Sequence, residues 1–165
     1  MTFPVPPDVR ASRDFELVFG QDEILRNSTQ LDDPTVSVAY GEWMKLAAGK
    51  AKKLEAGDVL AAPPNGAKVS WTLYKSGDSI GGQSDAVATK SVDLLSGTYQ
   101  AKTKLYNTGS TYLQSGNLLV AVYDATLGGI LDAPNPAAYT VLHLAAAIGR
   151  VISVDDGVLT YESPA

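Results

Sequence analysis

The sequence predicts an all-β protein, a small barrel or sandwich with an extended N-terminal arm. Three observations lead there. Charged residues make up only 19% of the 165, against 15 Gly and 9 Pro, a balance that suits short strands joined by turns better than long helices. From Tyr99 to Tyr161, apolar runs of strand length recur between glycine-bearing turns at roughly ten-residue intervals. Further upstream, Val36, Val38 and Tyr40 alternate with Ser37 and Ala39, and Val69, Trp71 and Leu73 alternate with Ser70, Thr72 and Tyr74. Period two is the mark of a half-buried strand.

Two regions follow from this, an arm over residues 1–35 and a β domain over residues 36–165. The arm opens with three prolines in seven residues, Pro4, Pro6 and Pro7, an extended and partly pre-ordered segment. Asp14 to Gly20 can form one strand, and Leu31-Asp32-Asp33-Pro34 is a turn signal. Such an arm exposes Phe3, Val5, Phe15 and Phe19 unless something covers them. The strand either folds back on its own domain or lies across a neighbouring subunit, which makes Phe3, Val5, Pro6, Pro7, Phe15 and Phe19 the candidate interface.

In the domain, Gly49, Gly57 and Pro63-Pro64-Asn65-Gly66 mark turns, and Ser76 to Ser84, with Gly77, Gly81 and Gly82, reads as a surface loop. Strands are expected over Tyr99–Tyr106, Gly116–Tyr123 and Gly128–Leu131. Asp156-Gly157, between two β-rich runs, is the strongest hairpin signal, because a type I′ turn needs positive φ at both central positions. Tyr139 to Gly149, with three consecutive alanines, suits a buried strand or a short helix, and the Val-Ile run just after Gly149 favours the strand.

Composition narrows the function classes. The formal net charge is −5, the wrong sign for a nucleic-acid binder, which needs clustered Lys and Arg. The basic cluster Lys45, Lys50, Lys52 and Lys53 reads as a solvated face, or as a contact with an acidic protein neighbour. With no cysteine, disulfides, zinc ribbons and thiol catalysis drop out. Val141 to Ile148, the longest apolar stretch, is too short to span a bilayer, and Met1 to Pro7 lack the basic and apolar regions of a signal peptide. Synthesis in the cytoplasm, with no membrane partner, is the expectation.

Little in the chain announces chemistry. His143 is the only histidine, which removes multi-histidine metal sites and leaves a hydrogen-bonded structural role as its expected one. Asp32-Asp33 and Asp155-Asp156 sit in turn contexts, where Asp stabilises the local backbone. Asp155-Asp156-Gly157 lacks the alternating oxygen ligands and closing Glu of a calcium loop. Gly57-Asp58-Val59-Leu60 is similar to the strand starts of biotinyl and lipoyl carrier domains, yet no lysine stands in a carrier motif. Gly77 to Gly82 precedes no Lys-Ser/Thr pair, as a phosphate loop requires. Neither a cofactor nor an enzymatic activity is expected.

The order of elements does resemble a known group. Thr98 to Tyr106, then Tyr112 to Val120 with Gly116 and Leu119 opening a strand, then Gly129-Ile130-Leu131, resemble the strand, polar turn, strand and glycine hairpin of small β-barrel head proteins of tailed bacteriophages. In that pattern a small-residue strand like Tyr139 to Ala147 and a final Asp-Gly hairpin like Asp155-Asp156-Gly157 follow. These are decoration, or cement, proteins. The resemblance implies no catalysis, a place on the outer surface of the virion's capsid, the major capsid protein as partner, and a homo-oligomer (dimer or trimer) that stabilises the shell. A carbohydrate- or ligand-binding β-sandwich from a tail or fibre protein is the alternative, using Trp43, Trp71 or Tyr74. A small hydrolase or isomerase has least support.

Overall fold

The computed structural model describes residues 15–20, 24–71 and 91–164. The expected loop from Ser76 to Ser84, together with Leu73 and Tyr74, lies outside them. The chain is all-β. Among the described residues the strands are β1 (Phe15–Phe19), β2 (Ile24–Gln30), β3 (Trp43–Ala47), β4 (Lys50–Lys53), β5 (Lys68–Val69), β6 (Ser91–Gly97), β7 (Tyr99–Thr103), β8 (Leu118–Asp124), β9 (Gly128–Asp132), β10 (Gly149–Asp155) and β11 (Val158–Ser163), joined by a short α-helix, α1 (Val141–Ala146).

A six-stranded antiparallel sheet in the order β1-β7-β11-β10-β8-β9 forms the body, accompanied by a β2-β6 ribbon and a three-stranded sheet β4-β3-β5. The body curls back on itself. Past a bend at Lys104, the chain leaving β7 runs parallel to β9, with Leu131 N–H donating to Leu105 O at 3.0 Å and Asn107 N–H to Leu131 O at 2.8 Å. The run Tyr99–Tyr106 is therefore a strand only to Thr103, and its remainder bridges the far end of the sheet. Bulges between Val151 and Ser153 in β10, and between Leu17 and Phe19 in β1, add twist where the sheet bends.

The β10–β11 hairpin turns at Asp156-Gly157, with φ of 50° and 74° and Asp155 facing Val158, as the Asp-Gly pair demands. The β3–β4 hairpin turns in the same way at Ala48-Gly49.

Inward-facing residues of the sheets merge into one core around Phe15, Trp43, Tyr99, Leu119, Leu131, Leu159 and Tyr161. Gly129 lets β9 reach β3, since a Cβ there would collide with the Trp43 carbonyl.

Two expected strands are corrected. Val36 to Tyr40 forms no strand. Asp33 accepts from Thr35 N–H at 2.9 Å, and Glu42 Oε2 accepts from Ala39 N–H at 2.8 Å, so side chains take up backbone donors that a ladder would otherwise use. Val38 is still fully buried, but in a second small core with Leu31, Met44, Ala51, Val92 and Leu94. Tyr139 to Gly149 is not a strand either, and its centre is α1. The alternation at Val69 and Trp71 fares better. Val69 pairs with Trp43, Ser70 bridges Leu94, and Trp71 N–H donates to Asp93 O at 2.8 Å.

Candidate docking face

Helix α1 builds the most unusual surface among the described residues. Asn135 caps a single 3-10 turn over Pro136–Ala138 by accepting from Ala137 N–H. Thr140 then caps α1, its Oγ1 accepting from His143 N–H at 3.3 Å while His143 Nδ1 accepts from Thr140 N–H at 3.1 Å. Reciprocal bonding of this kind is the capping box, here with histidine in the place usually held by Glu or Gln. It fixes a helix over residues whose composition suits a strand equally well.

The same histidine fastens α1 to the body. Since Nδ1 accepts, the ring proton sits on Nε2, which donates to Leu60 O at 2.8 Å. Ala146 packs beside Leu105, Val120, Val122 and Ile130, with Leu60 against the same cluster. Only His143 and Ala146 of α1 turn inward. That leaves Val141, Leu142 and Leu144 outward, 82%, 54% and 61% exposed. Nearby, Asp58 O accepts from Tyr123 N–H at 2.8 Å, so the loop carrying Val59 runs between β8 and α1, and Val59 and Tyr123 are 45% and 37% exposed. No charged residue occurs from Ala133 through Gly149. The result is an apolar, uncharged ledge on a clamped helix, and contiguous exposed apolar surface of this sort marks interaction sites.

Three of the four lysines of the basic cluster, Lys45, Lys52 and Lys53, are paired with carboxylates. Lys45 Nζ lies 2.7 Å from Asp58 and 3.2 Å from Glu55, Lys52 lies 2.7 Å from Glu55, and Lys53 lies 3.1 Å from Glu42. Asp58 Oδ2 also accepts from Glu55 N–H at 2.7 Å, so this network pins the 55–58 turn onto β3. Burial pulls the Lys45 ammonium down, but hydrogen bonds and charge from Asp58 and Glu55 outweigh it and leave the group raised. Hydrogen bonds from Lys52 and Lys45 lower the Glu55 carboxyl. Glu42, 1% exposed, links Ala39 N–H, Lys53 and, at 3.5 Å, Gly129 N–H. Its role went unseen in the sequence, where nothing separates it from a surface acid.

Among the described residues no group of three or more His, Asp or Glu side chains is placed to hold a metal ion. No described helix is long and apolar enough to cross a membrane.

The candidate interface residues separate. Phe3, Val5, Pro6 and Pro7 lie outside the described residues. Phe15 is 1% exposed, edge-on to Tyr40 and Trp71 with ring centroids 6.0 Å away in each case. It is a core residue of its own domain, because β1 pairs antiparallel with β7, and Phe19 ends that strand opposite Gln100. Of the ligand-platform residues, Trp43 is buried, while Trp71 is half-buried under Tyr40 and the Arg26 guanidinium, 4.9 Å from its ring centroid. The ledge on α1 was missed because Val141-Leu142-His143-Leu144 reads as strand alternation. Its one signal was the Thr140-x-x-His143 spacing.

Comparison with known proteins finds no matching family, curated protein or solved structure. The fold and the ledge therefore define the class: an all-β protein with exposed apolar side chains on a short capped helix.

Proposed function

We propose that this chain is a structural protein of a tailed-bacteriophage head, a decoration or cement protein that seats on the outer surface of the major capsid protein and stabilises the shell. The observation that carries this reading is the α1 ledge, with Val141, Leu142 and Leu144 held outward by a capped helix. Covering such a face recovers roughly 25 cal/mol for each Å² of apolar surface removed from water. Many copies on one shell multiply a contact that is weak singly.

The element order behind the resemblance supports it as well. Strands β7, β8, β9 and the β10–β11 hairpin follow in that sequence, although α1 stands where the pattern has a small-residue strand. The buried Glu42, Asp58 and His143 are engaged in holding loops and caps together, and the reading includes no catalytic step. Copies would be made in the host cytoplasm, assemble as dimers or trimers with closed symmetry, and end on the virion exterior.

The test is co-sedimentation with capsids lacking the protein. Saturable binding at a fixed copy number supports the reading, and a protein that stays in the supernatant at micromolar concentration overturns it.

A further inference from the structure

The chain carries the asparagines Asn27, Asn65, Asn107, Asn117 and Asn135, and Asn65 alone is followed by glycine. Hydrogen bonds tie down the amides of Asn107, Asn117 and Asn135. Asn107 donates to Asp132 at 2.9 Å and accepts from Gly109 N–H at 3.0 Å, Asn117 donates to Tyr112 O at 2.9 Å, and Asn135 accepts from Ala137 N–H at 2.9 Å. Asn27 sits at the centre of β2, paired with Leu94 of β6, and Ser28 follows it.

Asn65-Gly66 stands in a different setting. Both residues are exposed, in the turn that leads from Pro63-Pro64 into β5. Among the described residues, neither the Asn65 amide nor the Gly66 N–H makes a hydrogen bond. Gly66 has a φ of 70°, and a Cβ there would meet nothing within 4 Å. Open space therefore surrounds the backbone nitrogen next to the amide. Glycine also moves through backbone conformations barred to other residues, and a turn with few contacts opens at little cost.

We propose that Asn65-Gly66 is a modification site, where Asn65 deamidates without an enzyme to aspartate and isoaspartate. The Gly66 nitrogen attacks the Asn65 side-chain carbonyl carbon and loses its proton to solvent. The bond from that carbon to the amide nitrogen breaks, and ammonia leaves with a proton taken from solvent. The product is a cyclic succinimide. Water then adds to either of its carbonyls and opens the ring to aspartate or, with the main chain routed through the side-chain carbon, to isoaspartate. Overall, water is consumed and ammonia released, with no oxidant, reductant or cofactor. Each event adds a negative charge to a net charge of −5. Isoaspartate also lengthens the backbone just before β5, where Lys68 and Val69 pair with Met44 and Trp43. The site is separate from the outward side chains of the ledge, so the proposal is independent of the docking role.

The experiment ages the full chain in mildly alkaline buffer and follows its tryptic peptides by mass spectrometry, with an unaged sample subtracted. Residues 54–68 form one tryptic peptide, and Asn65 is its only asparagine. This peptide should gain the mass of an oxygen exchanged for N–H and split into aspartyl and isoaspartyl forms. Its conversion should be at least about tenfold faster than that of Asn27, Asn107 or Asn117, a barrier lower by roughly 1.4 kcal/mol. On anion exchange the aged protein should yield a more acidic form, and Asn65→Gln, at an exposed side chain, should not. An unchanged peptide, conversion no faster than at the other asparagines, or an acidic form that persists in Asn65→Gln overturns the proposal.

Discussion

His143 Nδ1 accepts a hydrogen bond from Thr140 N–H at 3.1 Å while Thr140 Oγ1 accepts one from His143 N–H at 3.3 Å. The histidine ring thus joins the start of α1 to the Leu60 loop. Thr140→Ala should cost about 1 kcal/mol, the usual loss of an N-cap. His143→Ala should cost more, about 2–3 kcal/mol, since it also leaves Leu60 O without its donor. Denaturant unfolding of both single variants and the double checks this. The two effects should be non-additive by at least about 0.5 kcal/mol, because the residues share one motif.

Asp58 serves Lys45 and Glu55 N–H with the same Oδ2 atom. Asp58→Ala should destabilise by about 1–3 kcal/mol by stranding a backbone donor and a partly buried ammonium. Glu55→Gln, at a side chain 54% exposed, should change stability far less than Asp58→Ala, because solvent screens an exposed ion pair. Chemical denaturation of the two variants separates them, and equal losses would place the Lys45 interaction with Glu55 on a par with that of Asp58.

The Tyr99 and Tyr161 hydroxyls lie 3.3 Å apart in the core, and burial raises both phenols, Tyr161 strongly. A phenol raised in the folded state contributes stability that is complete below the unfolded value, about 10, and is lost as pH climbs above it. Stability measured from pH 8 to 11.5 (about these limits) should therefore hold and then fall with a proton linkage above one. Tyr161→Phe should reduce that linkage.

Phe15 distinguishes a core strand from an arm. As a core residue, Phe15→Ala should cost about 3–5 kcal/mol, read by thermal or denaturant unfolding. A loss below about 1 kcal/mol would show that β1 detaches from β7 readily.

Most of the fold was legible in particular residues. Asp156-Gly157 declared its hairpin because few residues tolerate positive φ, and the glycines at 116 and 128 framed β8 and β9. Phe15 to Phe19 read correctly as a strand, though whether it stayed with its own domain was open until its pairing with β7 was seen. Local pattern failed where a side chain outcompeted the ladder. Glu42 and Asp33 took the backbone donors around Val36 to Tyr40, and His143 turned an alternating run into a helix. The ledge was illegible for the same reason, since a strand would place Leu142 and Leu144 on one face of a sheet, whereas on α1 they flank the exposed side of the helix.

The Leu142→Glu/Leu144→Glu double variant is the sharpest check on the proposed docking of α1 on a capsid. Both side chains are more than half exposed, so the fold should change by no more than about 0.5 kcal/mol per site. The measurement is capsid co-sedimentation of the variant beside the unaltered protein at matched concentration. Saturable binding is expected for the unaltered protein and a loss of at least about tenfold for the variant. A folded variant that binds capsids with unaltered affinity would contradict it.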